Sequence, residues 1–192
     1  MSNRVLLCGY DTETTGLEPG DHRFVEVYAG LWDLHTRKLV FEFNQRIDPQ
    51  RAISADAQRI HKISASDLVG CPTWDTVGPA LAKVLIKADA MVIHNAEFDM
   101  KFTRHELSRI GLTTPERPIT DTMMSTWATP DGKKPTLGEL AFAMGVPYDP
   151  EKAHAADYDV KVMMACLFAA IDEGYIDIAK IEGSIAPLAQ AA

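Results

Sequence analysis

Val5-Leu6-Leu7-Cys8-Gly9-Tyr10-Asp11-Thr12-Glu13-Thr14-Thr15-Gly16-Leu17 begins apolar and ends on two acids set two residues apart. The alternate sets Val5, Leu7, Gly9 and Leu6, Cys8, Tyr10 are both largely apolar. That is the pattern of a strand covered on both faces, so Val5 to Glu13 is expected at the centre of a sheet. Side chains two apart on a strand leave the same face, and Asp11 and Glu13 therefore project together. Two like charges at the end of a central strand cost stability unless a cation lies between them, the usual logic of a divalent site with oxygen ligands. An exposed strand end would tolerate the same pair. Asp149-Pro150-Glu151 repeats the spacing, but Pro150 marks a loop there.

Outward from this stretch, Gly16-Leu17-Glu18-Pro19-Gly20 is a turn signal, after which Phe24 to Asp33 and Leu39 to Ile47 carry strand patterning. Three strands in a meander are expected. Trp74, Val77, Leu81, Val84, Leu85 and Ala88 share one helical face within Thr73 to Ala88. Ala90 to His94 reads as a short buried strand running into a helix over Glu97 to Ile110, stopped by Gly111. Ile119 to Asp121 is a further short strand, and Thr136 with Glu139 forms a capping-box pattern that opens a helix closed by Gly145 and Pro147. Val160, Met163, Met164, Leu167, Phe168 and Ile171 make the clearest helical stripe, and its methionines read as core packing. The residues after Ile181 are rich in Gly, Ser, Pro, Ala and Gln. A single domain over 1–181 with a frayed tail over 182–192 is therefore expected.

Composition bounds the function. In 192 residues, 46% are hydrophobic and 24% charged, which is globular rather than disordered. No apolar run approaches the roughly 20 residues of a spanning helix, and the start Met1-Ser2-Asn3-Arg4 leads into no secretory h-region. No membrane association and a cytoplasmic location are expected. Cys8, Cys71 and Cys166 include no C-x-x-C pair, so they read as reduced thiols rather than a disulfide framework or zinc site. A net charge of −8 disfavours a polyanionic partner through bulk electrostatics, though divalent ions held by clustered acids would reverse the sign locally.

Two further acid-bearing stretches stand at helix starts. His94-Asn95-Ala96-Glu97-Phe98-Asp99 places Asp99 in the first turn after a strand, where a carboxylate also suits the helix dipole. His154-Ala155-Ala156-Asp157-Tyr158-Asp159 places His154 in a loop and Asp159 just ahead of the Val160 stripe. The H-x-x-x-x-D spacing occurs in both, so it is the ordered set of three stretches that carries information.

Asp11-Thr12-Glu13-Thr14-Thr15-Gly16-Leu17, then His94 to Asp99, then His154 with Asp159 resemble the three motifs of the DEDDh branch of the DnaQ-like 3′-to-5′ exonucleases, the family of the proofreading epsilon subunit. The resemblance runs from about Leu6 to about Gly174. It implies an α/β ribonuclease H-like fold, a mixed β-sheet with helices on both faces. It also implies that Asp11, Glu13, Asp99 and Asp159 hold two divalent cations, Mg²⁺ or Mn²⁺, with His154 as general base. Such a pair of ions stabilises both the attacking and the leaving oxygen of a phosphodiester.

By the same resemblance Thr14 would meet the 3′-terminal hydroxyl through its backbone and Leu17 would wedge between the last two bases. Asn95 and Phe98 would shape the terminal-nucleotide pocket, and His61, after Ile60, would contact substrate from a helix end. Asp121 resembles an acid frequent in the family and is not assigned as a ligand. The implied activity is 3′-to-5′ hydrolysis of DNA, single strands preferred, to nucleoside 5′-monophosphates. An RNA-trimming exoribonuclease and a catalytically idle binding subunit of a polymerase complex are the alternatives. Retention of all five site residues argues against idleness, because four converging carboxylates serve no scaffold. A DNA polymerase or a homodimer mate are the candidate protein partners.

Overall fold

The computed structural model describes residues 4–189. Five strands form one sheet: β1 (Leu6–Thr14), β2 (Phe24–Asp33), β3 (Leu39–Arg46), β4 (Ala90–Ile93) and β5 (Ile119–Asp121). Their spatial order is β3-β2-β1-β4-β5. β1, β2 and β3 form the expected antiparallel meander, while β4 runs parallel to β1 and β5 parallel to β4. The sheet is therefore mixed, with β1 central.

The helices are α1 (Ala55–His61), α2 (Trp74–Lys87), α3 (Ala96–Arg109), α4 (Leu137–Ala143), α5 (Ala156–Asp172) and α6 (Ile178–Ala189). One sheet face, with Cys8, Tyr10, Val27 and Leu31, packs on Leu81 and Leu85 of α2 and Phe102 and Leu107 of α3. The opposite face, with Leu7, Tyr28, Trp32 and Val92, packs on Val160, Met164 and Leu167 of α5. Both layers bury large apolar side chains, which is why β2 is buried along its whole length. The capping box of Thr136 and Glu139 is formed as its sequence predicts.

Two features set up the site. β1 pairs with β4 only as far as Gly9 opposite Val92, yet pairs with β2 as far as Thr14. Tyr10 to Thr14 thus extend beyond the end of β4, into the crevice outside the carboxyl ends of the parallel strands where α/β sheets place ligands. Gly9 governs the approach of α5. A Cβ there would lie 2.7 Å from Cγ1 of Val160, so the missing side chain is what lets α5 rest on β1.

The expected boundary at 181 falls inside α6. Residues 182–189 are helical rather than frayed, because Ile178, Ile181 and Ile185 supply an apolar stripe that packs against the α5 layer. The last three residues of the expected tail lie outside the described residues. Cys8 and Cys166 are buried free thiols, Cys71 is a partly exposed one, and burial pushes Cys8 and Cys166 up to about 12. Among the described residues no helix is long and apolar enough to cross a membrane.

Candidate active site

Asp11 and Glu13 leave β1 on the face covered by α5, and both line a cleft of about 600 Å³ at the carboxyl end of the sheet. Asp99 reaches the same cleft from the first turn of α3, and Asp159 from the first turn of α5. Acids from three stretches distant in sequence are thereby brought together. Burial first, and neighbouring acids after it, raise the pKa of all four. Burial, then Asp99, Glu13 and Asp159, pushes Asp11 well above the ordinary carboxylate value. Glu13 is raised likewise by burial and then by Asp159, Glu26 and Asp99. Burial raises Asp159 as well. Asp99, 1% exposed, is pushed up to about 7 by burial, against a hydrogen bond from Thr12 that favours its charged form.

That bond links two elements, since Thr12 Oγ1 donates to Asp99 Oδ1 at 2.6 Å. Asp159 is tied differently: its Oδ2 accepts from the His154 backbone N–H at 2.9 Å, while its Oδ1 is buried with no partner. His154 is exposed, on a left-handed backbone (φ 64°) that turns the chain into α5, and its ring lines both the cleft and the adjoining groove.

Among the described residues no three His, Cys, Asp or Glu side chains are already drawn close enough together to enclose an ion. The donor set nevertheless fits divalent cations. Four hard oxygen donors repel one another at one strand end, and one buried carboxylate oxygen lacks any hydrogen bond, so a cation would satisfy both deficits.

A second groove of about 560 Å³ adjoins the cleft, lined by Thr14, Leu17, Ile60, His61, Asn95 and Phe98 among others. Leu17 is 73% exposed, a large apolar side chain standing free at the groove. Phe98 packs on Phe102, with ring centroids 5.1 Å apart, and so is backed by the core. Asn95 takes a left-handed conformation (φ 75°) at the start of α3, and its side chain makes no cap bond.

His61 sits differently from its expected contact with substrate. It is buried, its Nδ1 accepts from the Ile63 N–H at 3.0 Å, and its Nε2 lies 3.2 Å from the Thr14 carbonyl. Acceptance at Nδ1 fixes the tautomer, so Nε2–H donates to Thr14 and both ring nitrogens are engaged within the protein. Burial holds its pKa below the ordinary histidine value. His61 thus fastens the Thr14 backbone, whose own hydroxyl donates to the Gly16 carbonyl at 2.6 Å.

His94 stands on the far wall of the cleft, its Nδ1 3.0 Å from Thr122 Oγ1. Lys134 and Tyr148, from the loops around α4, close the same wall. No spacing in the sequence marks these two residues, because loops carry no period that would aim them.

The sequence matches the family described as RNase_T, Exonuclease, over residues 8–167. The chain belongs to the RNase_T exonuclease family. Among curated members it is 30% identical over 171 residues to the DNA polymerase III subunit epsilon of Treponema pallidum, covering 85% of this chain and 75% of that one. Its fold is shared with E. coli exonuclease I solved with a dT13 oligonucleotide (TM-score 0.74, 17% identity), over 88% of this chain but only 41% of that one. Exonuclease X, solved in complex with 5′-overhanging duplex DNA, aligns over 94% of this chain and 99% of its own (TM-score 0.66, 24% identity). These structural likenesses establish the ribonuclease H-like α/β fold that the motifs imply.

Proposed function

We propose that this protein is a metal-dependent 3′-to-5′ exonuclease that removes nucleoside 5′-monophosphates from the 3′ ends of DNA, single strands preferred. The observation that carries this reading is the convergence of Asp11, Glu13, Asp99 and Asp159 on one cleft, with His154 at its rim and the groove of exposed Leu17 beside it.

Two divalent cations, Mg²⁺ or Mn²⁺, would be held by the four carboxylates and would supply Lewis-acid stabilisation of the charge that builds on the phosphate. The chain's own groups do the rest. The His154 imidazole takes a proton from the attacking water, and its exposed loop position gives it access to solvent on either side of the step. The His154 N–H fixes the orientation of Asp159, so base and ligand are set by one turn of backbone. Leu17 inserts against the terminal bases by apolar contact, which separates them without reading sequence. The Thr14 backbone, pinned by His61, gives the 3′ end a fixed abutment. Phe98 and Asn95 form the side of that pocket.

Relatives that are polymerase subunits or exonucleases solved with DNA support DNA as substrate and a polymerase as a partner. The test is incubation of 5′-labelled single-stranded DNA, duplex DNA, circular single strands and RNA with Mg²⁺, with and without chelator. A ladder shortened from the 3′ end of linear DNA, absent with chelator and on circles, is expected. Faster trimming of RNA would move the assignment to an exoribonuclease, cutting of circles to an endonuclease, and no cleavage under any condition to a binding subunit.

A further inference from the structure

The two helices that carry Asp99 and Asp159 both begin without a cap of their own. Neither Asn95, ahead of α3, nor Ala155, ahead of α5, makes a side-chain cap bond. The first turn of a helix leaves backbone N–H groups without partners, and here acids from neighbouring strands take them.

Asp121, at the end of β5, accepts from the N–H of Asn95 through Oδ1 at 3.0 Å and from the N–H of Ala96 through Oδ2 at 3.1 Å. Its Oδ1 also accepts from the Met123 N–H at 3.0 Å, which locks the carboxylate to its own turn. Glu26, on β2 directly opposite Glu13 of β1, accepts from the N–H of Ala156 through Oε2 at 3.2 Å. Its Oε1 is held by Arg46 at 3.2 Å, and Glu26 is 7% exposed.

We propose that Asp121 and Glu26 are a matched pair of positioning residues, each capping from the sheet the helix whose first turn carries a site carboxylate, Asp121 for Asp99 and Glu26 for Asp159. The inference rests on the proposed role of those two carboxylates in holding divalent ions.

A helix capped by its own preceding residue is free to shift with its loop, whereas a helix capped by a strand is fixed to the sheet. β1, which carries Asp11 and Glu13, belongs to that same sheet, so both helix-borne acids are registered against the strand-borne pair. The outside cap also leaves Asn95 uncommitted at the helix start, where it lines the cleft and the groove. An acid near a helix N-terminus gains from the dipole, yet both caps lie close to the site acids: Asp121 adds to the repulsion felt by Asp99, and Glu26 to that felt by Glu13. Acids placed against that electrostatic cost are there for geometry.

The test is Mn²⁺ titration by calorimetry without nucleic acid, beside single-turnover cleavage and thermal melting. Asp121→Ala and Glu26→Ala are expected to weaken Mn²⁺ binding by about ten- to hundredfold, the usual range for groups that orient ligands. The cleavage rate should fall with it. Asp121→Asn keeps one acceptor oxygen for three N–H groups and should fall between, whereas Glu26→Gln keeps an oxygen for Ala156 and should recover most of the affinity. Folded alanine variants with wild-type Mn²⁺ affinity would overturn the inference. Should either alanine variant fail to fold, Asp121→Asn decides: weakened Mn²⁺ binding supports the capping role and wild-type binding overturns it. A wild-type protein that takes up no Mn²⁺ would defeat the metal reading itself, while a normal wild-type isotherm with unchanged variants defeats only the capping role.

Discussion

The hydroxyl of Thr12 donates to the carboxylate of Asp99 at 2.6 Å, although 87 residues separate them in the chain. Thr12 lies between Asp11 and Glu13 on β1, so its side chain leaves the opposite face of the strand, toward α3. One strand thereby presents two acids to the cleft and restrains a third. A hydrogen bond to a charged acceptor contributes about 1.5–3 kcal/mol. Thr12→Val, nearly equal in shape, is expected to fold, to raise Asp99 further above its ordinary value, and to weaken Mn²⁺ binding about tenfold. Calorimetric titration at pH 8 checks it, and an unchanged isotherm would remove Thr12 from the site.

Metal-free protein should lose stability as pH rises. Asp11, Glu13, Asp99 and Asp159 all have folded-state pKa values above those of an unfolded chain, so the folded state binds more protons between about 4 and the raised values, about 7 for Asp99. Their protonation stabilises the fold fully below the ordinary carboxylate pKa, and that stabilisation is lost as pH climbs through the raised ones. Tm in chelator should therefore fall from pH 5 to pH 8, and Mn²⁺ should restore it most at pH 8. A melting temperature indifferent to Mn²⁺ at pH 8 would contradict the metal site.

His154→Ala should separate base from ligand. The ligand carboxylates remain, so Mn²⁺ affinity is expected near wild type while kcat falls by roughly 10²- to 10⁴-fold, the share of general-base catalysis. Asp159→Ala should lose both, and His94→Ala, which removes the contact with Thr122, should lose less of the chemical step. A chemical step lost in His94→Ala and kept in His154→Ala would reassign the base.

Gly9→Ala tests how closely α5 must lie on β1. The added methyl would meet Val160 Cγ1 at 2.7 Å and Trp32 at 2.9 Å, so the helix or the ring must shift. Overpacking of this kind costs about 1–3 kcal/mol, and displacement of α5 moves Asp159 away from Asp11. A lowered Tm together with weaker Mn²⁺ binding is expected; a lowered Tm alone would show that Asp159 tolerates the shift.

His61→Phe keeps the ring volume but removes the hydrogen bond to Thr14. Since the imidazole acts through the Thr14 backbone, KM for single-stranded DNA should rise several-fold with Mn²⁺ affinity unchanged. An unchanged KM would assign His61 to packing alone.

The central strand, the meander after it and the helix starts near Asp99 and Asp159 are legible in the chain before any fold, because apolar period and capping chemistry are local. The resemblance of three ordered stretches to a known exonuclease family also singles out the four acids and His154, whereas the strand-end pair Asp11 and Glu13 stands out by its charge alone. Of the helical segments at Ala55–His61 and Ile178–Ala189, only the end of the first at His61 is foreseen, and that through the resemblance. The first is a seven-residue turn started by a Ser54 cap, and the second hides its isoleucine stripe among small residues. Tertiary structure alone decided that His61 turns inward to Thr14, that Thr12 reaches Asp99, and that Asp121 and Glu26 cap helices not adjacent to them in the chain. Each of these is a polar contact between segments 25 or more residues apart. A hydrogen bond at that separation leaves no periodic trace, because its partner is chosen by where the sheet and helices finally pack.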